Sequence, residues 1–178
     1  QKTEKQKLEP VGMGTAFPFL KEKNHVVSII GGGGKTTLLY EMAGFCVKND
    51  QKVLVTTSTH IYRPPKGGHD QSLEAVERKF RTGRAAIIGS ACRDPEKLSM
   101  PETELFEAAR KKADLTLIEA DGARHLPCKA PAEHEPALLS SSDLVIGVTG
   151  LSALGQPLGK GCFRAERAAE LLDCTMEH

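Results

Sequence analysis

A doubly wound α/β domain, a mostly parallel sheet with helices on both faces, is the fold class the sequence predicts, and three observations predict it. Short apolar runs of strand length alternate with stretches whose apolar residues recur at helical spacing, the order that parallel crossovers require. Four consecutive glycines separate the first such run from the first helical stretch, in "SIIGGGGKTTLL" (Ser28 to Leu39). A later run, "LTLIEADG" (Leu115 to Gly122), ends in two carboxylates, and in sheets of this class ligands sit at the carboxyl ends of the strands.

Taken in order, "HVVSII" (His25 to Ile30) is a buried-strand pattern, and Leu38, Leu39, Met42, Ala43 and Cys46 place an apolar stripe on a helix over Lys35 to Val47. "KVLVTTST" (Lys52 to Thr59) is a second strand, after an Asn49-Asp50 turn. "IYRPPKGGHDQ" (Ile61 to Gln71) then breaks every periodicity, because its prolines lack amide donors and its glycines loosen the backbone, so it is expected to be a mobile loop. A helix over about Ser72 to Arg81 and a strand over "RAAIIGS" (Arg84 to Ser90) follow. "SMPETELFEAARKK" opens with helix-start chemistry, Ser99 and Glu102 having the spacing of a capping box. "ADLTLIEADGAR" (Ala113 to Arg124) and "SDLVIGVTG" (Ser142 to Gly150) are two further strands, and Arg164 to Leu172 begins a last helix. Residues 1–24 are expected to be a partly flexible N-terminal segment, frayed over the first ten residues, and 25–178 the α/β domain.

The 178 residues contain 24 Lys and Arg against 23 Asp and Glu. Nothing in that balance draws the chain to nucleic acid or to an anionic membrane, so any anion site must be local. Five cysteines without a C-x-x-C pair favour reduced thiols and a cytoplasmic location. The polar start and the short apolar runs predict neither a signal peptide nor a membrane span.

At the end of the first strand, Gly31, Gly32, Gly33 and Gly34 let successive backbone N–H groups turn onto an anion. Lys35 adds a positive charge and the following helix aims its dipole at the same point; Thr36 stands where a nucleotide site needs a hydroxyl for Mg²⁺, and Thr37 continues the turn. The stretch departs from G-x-x-x-x-G-K-[ST], because counting back from Gly34 puts Ile29 at the first glycine. A magnesium-nucleotide site also needs a carboxylate on a neighbouring strand, and Glu119 and Asp121 supply two, for metal or water. The hydroxyls of "TTSTH" (Thr56 to His60) either complete the magnesium shell or serve as β-formers, and the charged loop "KAPAEHEP" (Lys129 to Pro136) is either a switch or docking segment or a solvated surface loop. His125, Cys128 and His134 lack the spacing of a dense metal motif. Arg124, Arg164 and Arg167 are candidates for neutralising phosphate.

Four stretches in order, "VVSIIGGGGKTTLL", "VLVTTSTHIYRPP", "LIEADGARHLPCKAPAEHEP" and "DLVIGVTGLSALGQPL", resemble the selenium-dependent hydroxylase accessory proteins of the YqeC-like family, through roughly Val26 to Glu166. The resemblance implies a P-loop NTPase-type domain with a role in maturing molybdenum-containing hydroxylases, so the expected partners are such an enzyme or its cofactor-assembly proteins. On this chain it implies a phosphate loop at Gly31 to Thr36 and an acidic strand end at Glu119 and Asp121. "CFRAE" (Cys162 to Glu166) departs from the family's His-Arg-Pro-Glu, and the chain stops at His178, where relatives continue toward a base-reading segment, so the domain is expected to be C-terminally incomplete. Three function classes follow: a slow Mg²⁺-dependent NTPase switch using ATP or GTP, with Lys35, Glu119 and Asp121 in catalysis; a small-molecule kinase or nucleotidyl transferase acting on a cofactor precursor; and a non-catalytic partner-binding module.

Overall fold

Five parallel strands form the central sheet of the computed structural model, which describes residues 11–64 and 68–177. The expected fraying of the first ten residues and the centre of the Pro/Gly loop lie outside the described residues. A short turn of helix, α1 (Met13–Ala16), leads into β1 (His25–Gly31), and the glycine stretch then opens α2 (Lys35–Lys48). Next come β2 (Val53–Thr57), β3 (His60–Tyr62), α3 (Leu73–Arg81), β4 (Ala86–Ile87), β5 (Ser90–Ala91), β6 (Lys97–Ser99) and α4 (Thr103–Arg110). The chain continues through β7 (Leu115–Glu119), β8 (Cys128–Lys129), β9 (Leu144–Val148), α5 (Leu158–Gly161), β10 (Cys162–Phe163) and α6 (Ala165–Leu172).

The order in the main sheet is β4-β2-β7-β1-β9, so the doubly wound expectation holds. Strands β2 and β7 are buried at every residue because helices cover both faces, which is why they read as unbroken apolar runs. On one face α2 lays Leu39, Met42, Ala43 and Cys46 against Val27, Ile29, Val55 and Leu117. On the other, Val76 of α3 and Phe106 and Ala109 of α4 pack on Leu54, Ala86, Ile88 and Ile118. β9 is an edge strand, and Val145 stays 48 % exposed. The register places Ile29 opposite Glu119 and Gly31 opposite Val148, so the acidic strand end lies beside the glycine turn. No described helix is long and apolar enough to cross a membrane.

Three local expectations are corrected. The run Arg84 to Ser90 divides into β4 and β5, which belong to different sheets; Gly89 sits between them because a Cβ there would lie 2.8 Å from the Leu98 Cβ. Ser99 does not cap α4: it ends β6, and its hydroxyl donates to the Ser90 carbonyl at 3.4 Å, while Glu102 occupies the N-cap position. Ile61 and Tyr62 are not loop but strand, paired antiparallel with β6. Cross-strand pairing in a three-stranded sheet, β3-β6-β5, overrides the capping-box spacing at Ser99 and the proline and glycine signals beside Ile61 and Tyr62.

Candidate functional site

The glycine turn is shaped by what passes beside it. A Cβ on Gly31 would meet the Val148 carbonyl oxygen at 2.2 Å, and one on Gly33 would meet the Gly150 Cα at 2.6 Å. Both glycines also have φ in the left-handed region, +99° and +71°, so neither position accepts a side chain. The Gly31 amide donates to Asp121 Oδ2 at 3.0 Å and the Gly32 amide to the Val148 carbonyl at 2.8 Å. These two expected cradle amides are therefore already paired. The amides of Gly33, Gly34, Lys35, Thr36 and Thr37 have no acceptor among the described residues, and they open the 14-residue helix α2, where the helix dipole adds positive potential.

Lys35 is 6 % exposed and folds back, donating to the Gly31 carbonyl at 2.7 Å. Its ammonium lies 3.3 Å from Asp121 Oδ1, an ion pair without hydrogen-bond alignment, so that buried oxygen retains acceptor capacity. Asp121 Oδ2 also faces Lys129 Nζ at 3.1 Å. The Lys129 side chain is 1 % exposed and pairs in addition with Glu135, which Arg164 grips through two bonds of 2.7 and 3.1 Å. Charges thus alternate from Lys35 through Asp121, Lys129 and Glu135 to Arg164. In the charged loop after Cys128, Lys129 and Glu135 are tied to the acidic strand end, while Pro131, Glu133 and His134 stay exposed. Burial raises the Glu135 carboxyl, but the bonds from Arg164 and Lys129 outweigh it and hold the group down at about 2.

Glu119 is 8 % exposed and accepts the Thr36 hydroxyl at 2.7 Å. Burial pushes its carboxyl above the ordinary range, and neither the Thr36 bond nor the Lys35 charge reverses the shift. Of the hydroxyls that end β2, Thr56 and Thr57 are committed to the Ile88 and Glu119 carbonyls. Ser58 and Thr59 instead have buried hydroxyl oxygens without hydrogen-bond partners, and both residues line the cavity over the glycine turn. An orphaned hydroxyl beside a Thr-Glu pair fits a hard divalent cation that keeps most of its own water and phosphate ligands. Thr36 and Glu119 would hold Mg²⁺, with Ser58 at hand. A soft-metal site is not assembled: among the described residues no three His, Cys, Asp or Glu side chains are grouped to bind an ion, and His125 is engaged with Tyr62.

The cavity measures about 1100 Å³ and has two walls. The near wall is Gly33 to Thr37 with Glu119; the far wall comes from β3, β6, the turn after Gly122 and β10, and includes Tyr62, Arg93, Lys97, Arg124, His125 and Phe163. Of the arginines considered from sequence, Arg124 and Arg164 line this space, whereas Arg167 Nε donates to the Pro131 carbonyl at 2.6 Å outside it. Lys129, Tyr62 and Arg93 were not legible as site residues. Lys129 opens the charged, proline-broken segment that the sequence marked as unsuited to a core element, and its side chain is nevertheless 1 % exposed.

A family model described as "YqeC protein" matches residues 27–166. A relative from Escherichia coli (strain K12), described as "Uncharacterized protein YqeC", is 32 % identical over 145 residues, covering 73 % of this chain and 53 % of that protein. The chain therefore spans about half the length of this relative. No solved structure matches the chain. The family model covers more than half of the chain, and with this relative it shows that the chain belongs to the YqeC family.

Proposed function

We propose that the chain binds a magnesium-complexed nucleoside triphosphate, ATP or GTP, at the turn from Gly33 to Thr37 and hydrolyses it slowly as a conformational switch. The observation that carries this reading is the set of unpaired amides from Gly33 to Thr37, which open α2 beside the buried Lys35 and the Thr36–Glu119 pair. These amides and Lys35 bind the β and γ phosphates, so that charge developing in phosphoryl transfer is met by fixed dipoles. Bound Mg²⁺ supplies charge neutralisation on the phosphates. Glu119, whose Oε2 accepts the Thr36 hydroxyl, would orient the metal or the attacking water. Asp121 positions Lys35 and pins the Gly31 amide. The resemblance to selenium-dependent hydroxylase accessory proteins makes maturation of a molybdenum hydroxylase the setting in which such a switch would act.

Calorimetry with ATP and GTP, each with and without Mg²⁺, tests the reading. Binding that requires Mg²⁺ is expected, with a loss of at least tenfold in Lys35→Ala. A Lys35→Ala protein that binds the magnesium nucleotide as tightly as the parent chain refutes it. A second reading, phosphoryl or nucleotidyl transfer to a small acceptor, is favoured by the extent of the cavity beyond the glycine turn. Acceptor-dependent release of ADP or pyrophosphate separates the two.

A further inference from the structure

The far wall of the cavity has a chemistry of its own, unexplained by phosphate binding at the glycine turn. Tyr62 is 42 % exposed and sits beside His125, ring centroids 5.9 Å apart and planes tilted by 35°. Lys97 stands over the Tyr62 ring at 4.9 Å. On the adjoining side, the Arg124 and Arg164 guanidinium carbons lie 5.0 and 4.4 Å from the Phe163 ring centroid. Arg124 and His125 are consecutive residues with φ of +48° and +64°. Non-glycine residues in that region carry strain of about 1–3 kcal/mol, which proteins tend to retain where a side chain must be aimed.

Charge distinguishes the wall further. Arg164 is neutralised by Glu135 and Lys97 by Asp94 at 3.2 Å, but among the described residues no carboxylate pairs with Arg93 or Arg124. Two guanidinium groups without a carboxylate partner and the half-exposed Tyr62, whose ring already meets Lys97 and His125, therefore border one side of a space of about 1100 Å³. That volume lies at the upper end of the roughly 300–1,000 Å³ typical of ligand pockets. Guanidinium groups match planar or tetrahedral oxyanions, and an exposed tyrosine ring accepts a flat partner.

We infer that the cavity is bipartite, and that Tyr62, Arg93 and Arg124 form a subsite for a second small ligand, a flat ring bearing a phosphate or carboxylate, bound alongside the nucleotide. The inference rests on the assignment of Gly33 to Thr37 to the nucleotide phosphates, and it names the substrate class that a transfer reaction at that site would use. The probe is 1-naphthyl phosphate, titrated by fluorescence into the full chain with and without saturating magnesium β,γ-imido-ATP or its guanine counterpart; 1-naphthol and inorganic phosphate separate the ring from the charge. Saturable binding that persists with the nucleotide analogue present is expected, with weaker binding of either half alone and a loss of at least tenfold in Arg124→Gln and Tyr62→Leu. Arg93→Gln, at an exposed position, serves as the variant least able to disturb folding, and circular dichroism checks all three. Displacement of the probe by the analogue, unchanged affinity in all folded variants, or absence of saturable binding overturns the subsite. A tenfold loss of nucleotide affinity in Tyr62→Leu or Arg124→Gln would assign the far wall to the nucleotide's own base and overturn it equally. Probe binding that depends on Arg124 while neither nucleotide binds would refute the nucleotide site and leave the subsite standing.

Discussion

Asp121→Asn tests the alternating charges around the glycine turn more directly than any other change. The substitution keeps the size of the side chain and an oxygen able to accept from the Gly31 amide, but removes the charge shared by Lys35 at 3.3 Å and Lys129 at 3.1 Å. At an effective dielectric of about 20, each contact at that range is a Coulomb interaction of roughly 5 kcal/mol before desolvation is counted. Breaking a buried pair by removing one partner costs about 3–5 kcal/mol. The lower end applies, because Lys129 retains Glu135 and the Gly122 carbonyl, while Lys35 retains only the Gly31 carbonyl. A loss of about 3 kcal/mol corresponds to a fall in Tm of about 6–12 °C for a domain of this size. Thermal and urea unfolding followed by circular dichroism would measure it. Adding Lys129→Met should recover part of the loss, with a coupling of about 1 kcal/mol or more, since the two residues share one network. A loss under about 1 kcal/mol, or full additivity of the two changes, would show that these lysines are solvated and that Asp121 does not position the turn.

Titration offers opposite signs at two carboxyls. Glu119 is raised above its ordinary value of 4.5 by burial, so its contribution to stability is present below pH 4.5 and is lost as pH rises above it; Glu119→Gln should flatten that slope in urea midpoints taken from pH 4.5 to 7.5. Glu135 is held at about 2, so its contribution is present above pH 4.5 and is lost as pH falls toward about 2; Glu135→Gln should abolish that acid-side loss in the same assay. Gly31→Ala combines φ of +99° with a 2.2 Å clash against Val148 and should cost about 3–5 kcal/mol of unfolding free energy. Gly34→Ala, at φ +107° with nothing within 4 Å, should cost only the backbone strain of about 1–2 kcal/mol, and equal losses in the two variants would contradict the packing described for the turn.

The sequence alone carried the main sheet and the near wall of the site. β1, the glycine turn and α2 were legible because their signals are local: an apolar run, glycines where backbone must bend, and Leu39, Met42, Ala43 and Cys46 at helical spacing. Thr36, Lys35 and Glu119 followed, because loop and strand ends in a parallel sheet converge on one edge whatever the details of packing. The far wall depended on pairings between residues far apart in the chain. Ile61 and Tyr62 are strand only because β6 arrives beside them, and Ser99 ends a strand where its spacing announced a helix cap. Lys129 became a buried partner of Asp121 only once the preceding segment, Leu126 to Cys128, packed across Gly32. Periodicity and motif spacing report what a residue does to its immediate neighbours, whereas an ion pair or a cavity wall depends on distances in space that only the folded chain establishes.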